Sequence, residues 1–165
     1  MQMNDSVDRK IQIYTTTKDH IKYAVEICDV IKDAAKDRGT GIAKRDPKYI
    51  EQKIKDSKAV IALTCTGKFA GFCYIESWGE NKDYVANSGL IIVPKYRGLG
   101  LGKLIKEKAF QLSRKTFPNA KMFGITTSPA VMRINYYLGY RPVTFDHLTE
   151  DESFWIGCQC CSNYD

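Results

Sequence analysis

Three features follow one another between Leu90 and Leu112: an apolar run closed by proline, a turn of alternating glycines between cations, and an amphipathic stretch. The run is Leu90-Ile91-Ile92-Val93, ending at Pro94, and the turn is Arg97-Gly98-Leu99-Gly100-Leu101-Gly102-Lys103. Leu104, Ile105, Ala109, Phe110 and Leu112 then recur at helical spacing. This order predicts a strand, a tight turn and a helix over residues 100–116. Glycines let a backbone take positive φ and come close to a ligand. The first amides of a helix have no internal partners and lie at the positive end of its dipole. Together these make an anion site, most often for phosphate. Arg97 and Lys103 place positive charge at both ends of it. The spacing is not the dinucleotide Gly-x-Gly-x-x-Gly, and no acidic ribose partner stands about 20 residues on. It is not a Walker turn either, since Gly102-Lys103 is followed by Leu104. Helix–strand packing alone needs fewer glycines and no flanking cations.

A chain of 165 residues can bury one sizeable core. Ile11 and Ile13 mark a short strand over residues 10–15. Thr17 caps a helix from Lys18 whose apolar positions are Ile21, Ala24, Val25, Cys28, Ile31 and Ala35. That helix stops at Gly39-Thr40-Gly41. Asp46-Pro47 opens a second helix, with Asp as N-cap and Pro at its first position. Strands are expected over 59–64, 69–77 and 84–93, the first two joined by a hairpin turn at Thr66-Gly67-Lys68. A strand over 121–126, a helix over 130–138 and a strand over 140–145 follow. Strands joined first by turns and then by helices predict a mixed sheet flanked by helices, in one α+β domain.

The net charge of +6 suits a polyanionic small ligand. No basic run interleaved with aromatics favours nucleic acid. No apolar run approaches the roughly 20 residues of a membrane span, and the polar N-terminus is no secretory signal, so a cytoplasmic location is expected. Cys28, Cys65 and Cys73 lie in apolar stretches and read as reduced core thiols. Cys158, Cys160 and Cys161 form a Cys-x-Cys-Cys tail without a second ligand cluster, and no metal site is expected of it.

Arg97-x-x-Gly100-x-Gly102 resembles the acyl-coenzyme A pyrophosphate turn of the GNAT superfamily of N-acyltransferases. The element order over residues 10–145 is similar to the order of that fold, and Asn135-Tyr136-Tyr137-Leu138-Gly139-Tyr140 resembles the helix and glycine-aromatic pair near its end. A narrower likeness is to the acyltransferase domain of N-acetylglutamate synthases. It is carried by Gly41-Ile42, by Arg45-Asp46-Pro47-Lys48-Tyr49-Ile50-Glu51, by Phe123-Gly124-Ile125-Thr126-Thr127, and by Gly139 through Leu148. The chain would then divide into a flexible N-terminus (1–8), an acyltransferase domain (9–148) and a Cys-rich segment (149–165).

The resemblance implies an enzyme with acetyl-CoA, or another short acyl-CoA, as co-substrate. It implies direct transfer to a small amine, with an acidic amino acid such as glutamate first, and a place in amino-acid metabolism, arginine biosynthesis in particular. Leu90, Ile91, Ile92 and Val93 would pair with the pantetheine arm, and the strands flanking it would splay apart. Arg97, Gly98, Leu99, Gly100, Leu101, Gly102 and Lys103 would hold the pyrophosphate. An N–H near Ile91 or Ile92 would polarise the thioester carbonyl. The synthases place a Glu just before the cofactor strand; Ala86 or Asn87 stands there, and Glu76 on the preceding strand is the candidate base. The family's leaving-group Tyr falls at Asn135. Tyr137 is the candidate acid in its place, and Asn135 a candidate hydrogen-bond partner for coenzyme A. Arg45 would bind a substrate carboxylate, with Thr127 and Ser128 as further contacts; Arg133 and Arg141 are less well placed. Other acceptors (a protein, a polyamine, an aminoglycoside) and a non-catalytic CoA-binding module are the alternatives. The fold also expects a final strand, which either Phe154-Trp155-Ile156 or a second copy in a homo-oligomer would supply.

Overall fold

The computed structural model describes residues 10–39 and 45–159. Gly41-Ile42, the N-terminal segment, Cys160 and Cys161 lie outside them. Five strands, β1 (Ile11–Thr15), β2 (Ala59–Thr64), β3 (Phe69–Trp78), β4 (Tyr84–Ile92) and β5 (Lys121–Phe123), form one sheet in the order β1-β2-β3-β4-β5. The first three pairings are antiparallel and β4–β5 is parallel. A 3-10 turn (Lys18–Tyr23) leads into α1 (Ala24–Arg38), and α2 (Pro47–Lys55) follows. Then come α3 (Leu101–Thr116), α4 (Pro129–Tyr137) and α5 (Glu152–Cys158). The result is the expected α+β arrangement of an open, mainly antiparallel sheet with helices on both faces.

Local chemistry sets the element ends. Gly39 closes α1 in the left-handed conformation, at φ 61°. The Asp46 carboxylate accepts from the Lys48 amide at 2.8 Å, and Pro47 occupies the first turn of α2. β2 is buried at all six positions, so its unbroken apolar run sits between helices on both sides. On one side Ile27, Ile31, Ile50 and Ile54 of α1 and α2 pack on Ile61, Phe72, Tyr74 and Ile91. On the other, Leu101, Ile105 and Ala109 of α3 pack on Val60, Ala62, Ala70 and Cys73. Full burial of an isoleucine such as Ile105 stabilises by about 1.5–3 kcal/mol.

Three expectations are corrected. Residues 140–145 form no strand: Val143 and Phe145 are exposed, so no apolar face holds a ladder, and Arg141-Pro142 removes an amide. Phe154-Trp155-Ile156 is helical, within α5, where the Asp151 carboxylate caps the Ser153 amide at 2.9 Å. Phe154 stacks edge-on against Trp78 and Phe123 there. β5 ends at Phe123 rather than near Thr126, because the Thr126 hydroxyl accepts from the Ser128 amide and turns the chain into α4. No helix among the described residues is long and apolar enough to cross a membrane.

Candidate active site

β4 is where the sheet stops being regular. Its register on β3 shifts by one residue between Ser88 and Ile91, which makes a bulge around Gly89. Gly89 has φ 64°, and a Cβ on it would lie 2.6 Å from the Tyr74 ring. On the other side β5 pairs only with Tyr84, Val85 and Ala86. Beyond that point β4 runs on alone, and the two strands form a fork. The Val93 amide donates to the Ala70 carbonyl. Antiparallel pairs alternate between bonded and non-bonded, so Ile91 points its main chain into β3 and Ile92 points its own into the fork. Of the two amides proposed to polarise an acyl carbonyl, that of Ile91 is therefore committed to the sheet, and that of Ile92 is offered outward.

The glycine turn closes the mouth of the fork. Gly98 and Gly100 take φ 79° and 73°, and Gly100 stands at the N-cap of α3. A glycine N-cap has no side chain to bond the first amides, so those of Leu101, Gly102 and Lys103 are left for a ligand. A cavity of about 330 Å³ lies in front of them, lined among others by Ile92, Gly100, Gly102, Arg97, Lys103 and Arg133. Arg133 of α4 was not assigned to the anion end by sequence; the packing of α4 beside the turn brings it there. The Arg97 Nε also donates to the Ile92 carbonyl at 3.3 Å, tying the turn to the open edge of β4.

Asn135 faces inward from α4, 8% exposed, beside Gly124 at the end of β5. Its Oδ1 has no hydrogen-bond partner. Tyr137 lies two residues on, about 200° around the helix. It is exposed, with the Lys103 ammonium 3.7 Å above its ring. The structure thus puts Tyr137 at the turn end of the cleft, away from the closed end of the fork. Ser128 caps α4, its hydroxyl accepting from the Val131 amide at 3.4 Å, and Thr127 is exposed.

A second polar group stands on the opposite face of the sheet. Tyr74 and Glu76 point the same way from β3, and Tyr49 and Lys53, one helical turn apart on α2, meet them. The Lys53 ammonium lies 2.6 Å from Glu76 Oε2, and the Tyr49 hydroxyl donates to the same oxygen. The Arg45 Nε donates to the Tyr74 hydroxyl at 2.8 Å, and the Tyr49 and Tyr74 rings meet edge to face. Glu76 pairs directly with Ala86, the last β4 residue bonded to β5. The carboxylate is therefore one strand over from the position where the resemblance expects it, beside the closed end of the fork. The sequence assigns no role to Tyr49, Lys53 or Tyr74; the i,i+4 spacing on α2 and the i,i+2 spacing on β3 are the signals that could have grouped them.

Burial alone would raise the Glu76 carboxyl, but hydrogen bonds from Lys53 and Tyr49 with the Lys53 charge outweigh it and hold its pKa below the ordinary value. Burial lowers the Lys53 ammonium, partly offset by Glu76, and raises the Tyr49 hydroxyl, which stays protonated as a donor. A depressed carboxylate contributes stability that is fully present above its unfolded pKa of about 4.3 and is lost as pH falls through the folded value. Urea midpoints measured between about pH 3 and 6 will fall on acidification. Glu76→Gln will flatten that limb; an unchanged limb would show the pair to be uncoupled from folding.

The model of the acetyltransferase (GNAT) family matches residues 28–140, which include α2, the fork, the glycine turn and α4. The chain belongs to the GNAT acetyltransferase family. Solved GNAT structures share its fold at low identity. The N-acetylglutamate synthase of Neisseria gonorrhoeae, complexed with coenzyme A and N-acetyl-glutamate, superposes with a TM-score of 0.65 at 18% identity over 85% of this chain. The chain spans only 30% of that synthase. A GNAT acetyltransferase of Staphylococcus aureus Mu50 gives a TM-score of 0.65 at 17% identity, over 86% of this chain and 90% of that one. A putative acetyltransferase of Salmonella typhimurium with its cofactor acetyl-CoA gives 0.62 at 16%, over 79% of each chain. No curated protein matches the sequence significantly.

Proposed function

We propose that this GNAT domain transfers an acyl group, acetyl first, from acyl-CoA to the amine of a small carboxylate-bearing acceptor, with glutamate the leading candidate. The observation that carries the acceptor class is the placement of Arg45 on the Tyr74 hydroxyl, beside the Glu76 cluster on β3 and α2; a guanidinium there suits a carboxylate and disfavours a polyamine. The synthase of Neisseria gonorrhoeae bound to N-acetyl-glutamate supports the same acceptor.

The residues fit acyl-CoA at each end. Unpaired amides of α3 with Arg97, Lys103 and Arg133 suit a pyrophosphate. The outward main chain of Ile92 and the orphaned Oδ1 of Asn135 suit the amides of a pantetheine arm. Arg45 fixes the acceptor carboxylate. Glu76 Oε2 is occupied by Lys53 and Tyr49, while Oε1 takes only the Ser77 amide, at 3.3 Å, among the described residues. Oε1 is therefore the atom that receives the ammonium proton, through water. The freed amine attacks the acyl carbon directly, without a covalent enzyme intermediate.

Acyl-CoA consumption across amino acids and polyamines, with acetyl and succinyl donors, tests this. Glutamate should be turned over, and Arg45→Ala should raise its KM about 10- to 100-fold, the worth of a charged hydrogen bond, with little change in acyl-CoA affinity. Rate with polyamines alone, or a silent Arg45→Ala, overturns the acceptor assignment. Binding of CoA without turnover on any amine would instead mark a non-catalytic CoA module, the reading favoured by the hydrogen bonds already held by Glu76.

A further inference from the structure

The face of the fork opposite Glu76 holds a buried lysine that the proposed reaction has not used. Lys106 of α3 is 2% exposed, and its Nζ lies 3.3 Å from the Asn87 carbonyl. That carbonyl has a definite direction. The Ile75 amide donates to Lys58 on the β2 side, so Ile75 and its partner Asn87 form a non-bonded pair, and Asn87 turns its main chain away from β3. Asn87 is also the first residue of β4 beyond the last β5 pair. The ammonium therefore sits at the closed end of the fork.

Two unsatisfied polar groups lie beside it: Asn87 Nδ2 and the Tyr140 hydroxyl are buried without hydrogen-bond partners. Asn87 holds the Ser113 hydroxyl on its Oδ1 at 3.1 Å, and its amide approaches Tyr140 without a well-formed bond. The Lys106 ammonium is 5.9 Å from the Tyr140 ring centroid. A buried polar atom left unsatisfied is costly, so such atoms mark a place where a partner is expected. Polar side chains from β4, α3 and the segment after α4 thus meet around the Lys106 ammonium at the closed end of the fork.

We propose that Lys106 is the acid that protonates the departing sulfur of CoA, with Asn87 and Tyr140 lining its socket. This rests on the acyl-CoA reading above. As the acceptor nitrogen bonds to the acyl carbon, the C–S bond breaks and its electron pair stays on sulfur. The Lys106 ammonium gives one proton to that thiolate and becomes a neutral amine. The acceptor ammonium loses one proton through water to Glu76 before it attacks, and its nitrogen loses a second to solvent as the C–S bond breaks; when the products leave, Glu76 releases its proton and solvent reprotonates Lys106, so one proton is released net. Amine and acid thus act from opposite faces of the sheet. Burial lowers the pKa of Lys106, slightly offset by Cys73, which makes it a readier donor than a surface lysine. The titratable groups facing it are Cys73 of β3, raised by burial to about 11, and Tyr140, raised by burial to about 12, the latter also near enough to Arg114 of α3 to feel its charge.

The test is the titration of the thiol of bound CoA, followed by ultraviolet thiolate absorbance against pH. In the wild-type complex the thiol pKa should lie about 1–3 units below that of free CoA, the effect of a cation within contact distance. Lys106→Met, similar in length and uncharged, should restore the free value while still binding CoA. Lys106→Arg should keep the depressed value, since the cation remains, yet lose about 100-fold or more in acetyl-CoA turnover, because a guanidinium does not release its proton. Equal thiol pKa values in wild type and Lys106→Met, or an Arg variant as fast as wild type, would overturn the assignment. A wild-type protein that does not bind CoA would overturn the acyl-CoA reading itself, a different and separately visible result.

Discussion

Gly89→Ala will cost about 2–5 kcal/mol of folding stability, and the cost will shrink in a Tyr74→Ala background. Two effects add. The bulge holds Gly89 at φ 64°, where a Cβ costs about 1–2 kcal/mol. The same Cβ would stand 2.6 Å from the Tyr74 ring, an overlap worth about 1–3 kcal/mol. Tyr74 has no easy retreat, being 3% exposed, edge-on to Tyr49 and bonded to Arg45. A double-mutant cycle by urea denaturation should return a coupling of about 1–3 kcal/mol. Additive single effects would show that the ring is free to move. A displaced Tyr74 also shifts Arg45, so the surviving Gly89→Ala protein should have a raised acceptor KM.

Gly102→Asp will move stability and cofactor binding in opposite directions. Gly102 lies in the first turn of α3, at negative φ, and a Cβ there meets Ile134 and Ile92 only at 3.8 and 3.9 Å. Replacing a helical glycine and adding negative charge near a helix N-terminus should together stabilise by about 0.5–1 kcal/mol. The same carboxylate would occupy the space in front of the unpaired amides and repel a pyrophosphate, which should weaken acetyl-CoA binding by about 100-fold or more. Thermal unfolding and calorimetric titration check the two halves separately. A variant that melts higher yet binds acetyl-CoA as tightly as wild type would remove the turn from the cofactor site.

Local rules account for the parts of the molecule that the sequence foretold. Asp46-Pro47 starts α2, Gly39 ends α1, β2 spans residues 59–64, and the glycine turn opens α3 because each depends on residues close in the chain. The strand expected over 140–145 failed for the opposite reason. Its apolar residues Val143 and Phe145 had periodicity enough, but no neighbouring element presents a face to bury them. The aromatic run 154–156 likewise reads as strand or helix until Trp78 and Phe123 supply its partner surface, and then Asp151 caps a helix.

Arg45 and Glu76 could be named from sequence as candidate acceptor residues. That they share a cluster with Tyr49, Lys53 and Tyr74, and that Lys53 already holds Glu76, depends on how α2 lies across β3. Lys106 shows the same limit more sharply: in the chain it is one of several charges on an amphipathic helix, and only the short β5 opens the space into which it points. By itself the sequence determined a glycine-rich strand–turn–helix with open helix-start amides in an α+β domain, because backbone conformation at glycine and the free amides of a helix start are local properties. The tertiary structure alone decided which main-chain groups face the fork and which charges meet across it, because ladder alternation and burial depend on partners distant in the chain.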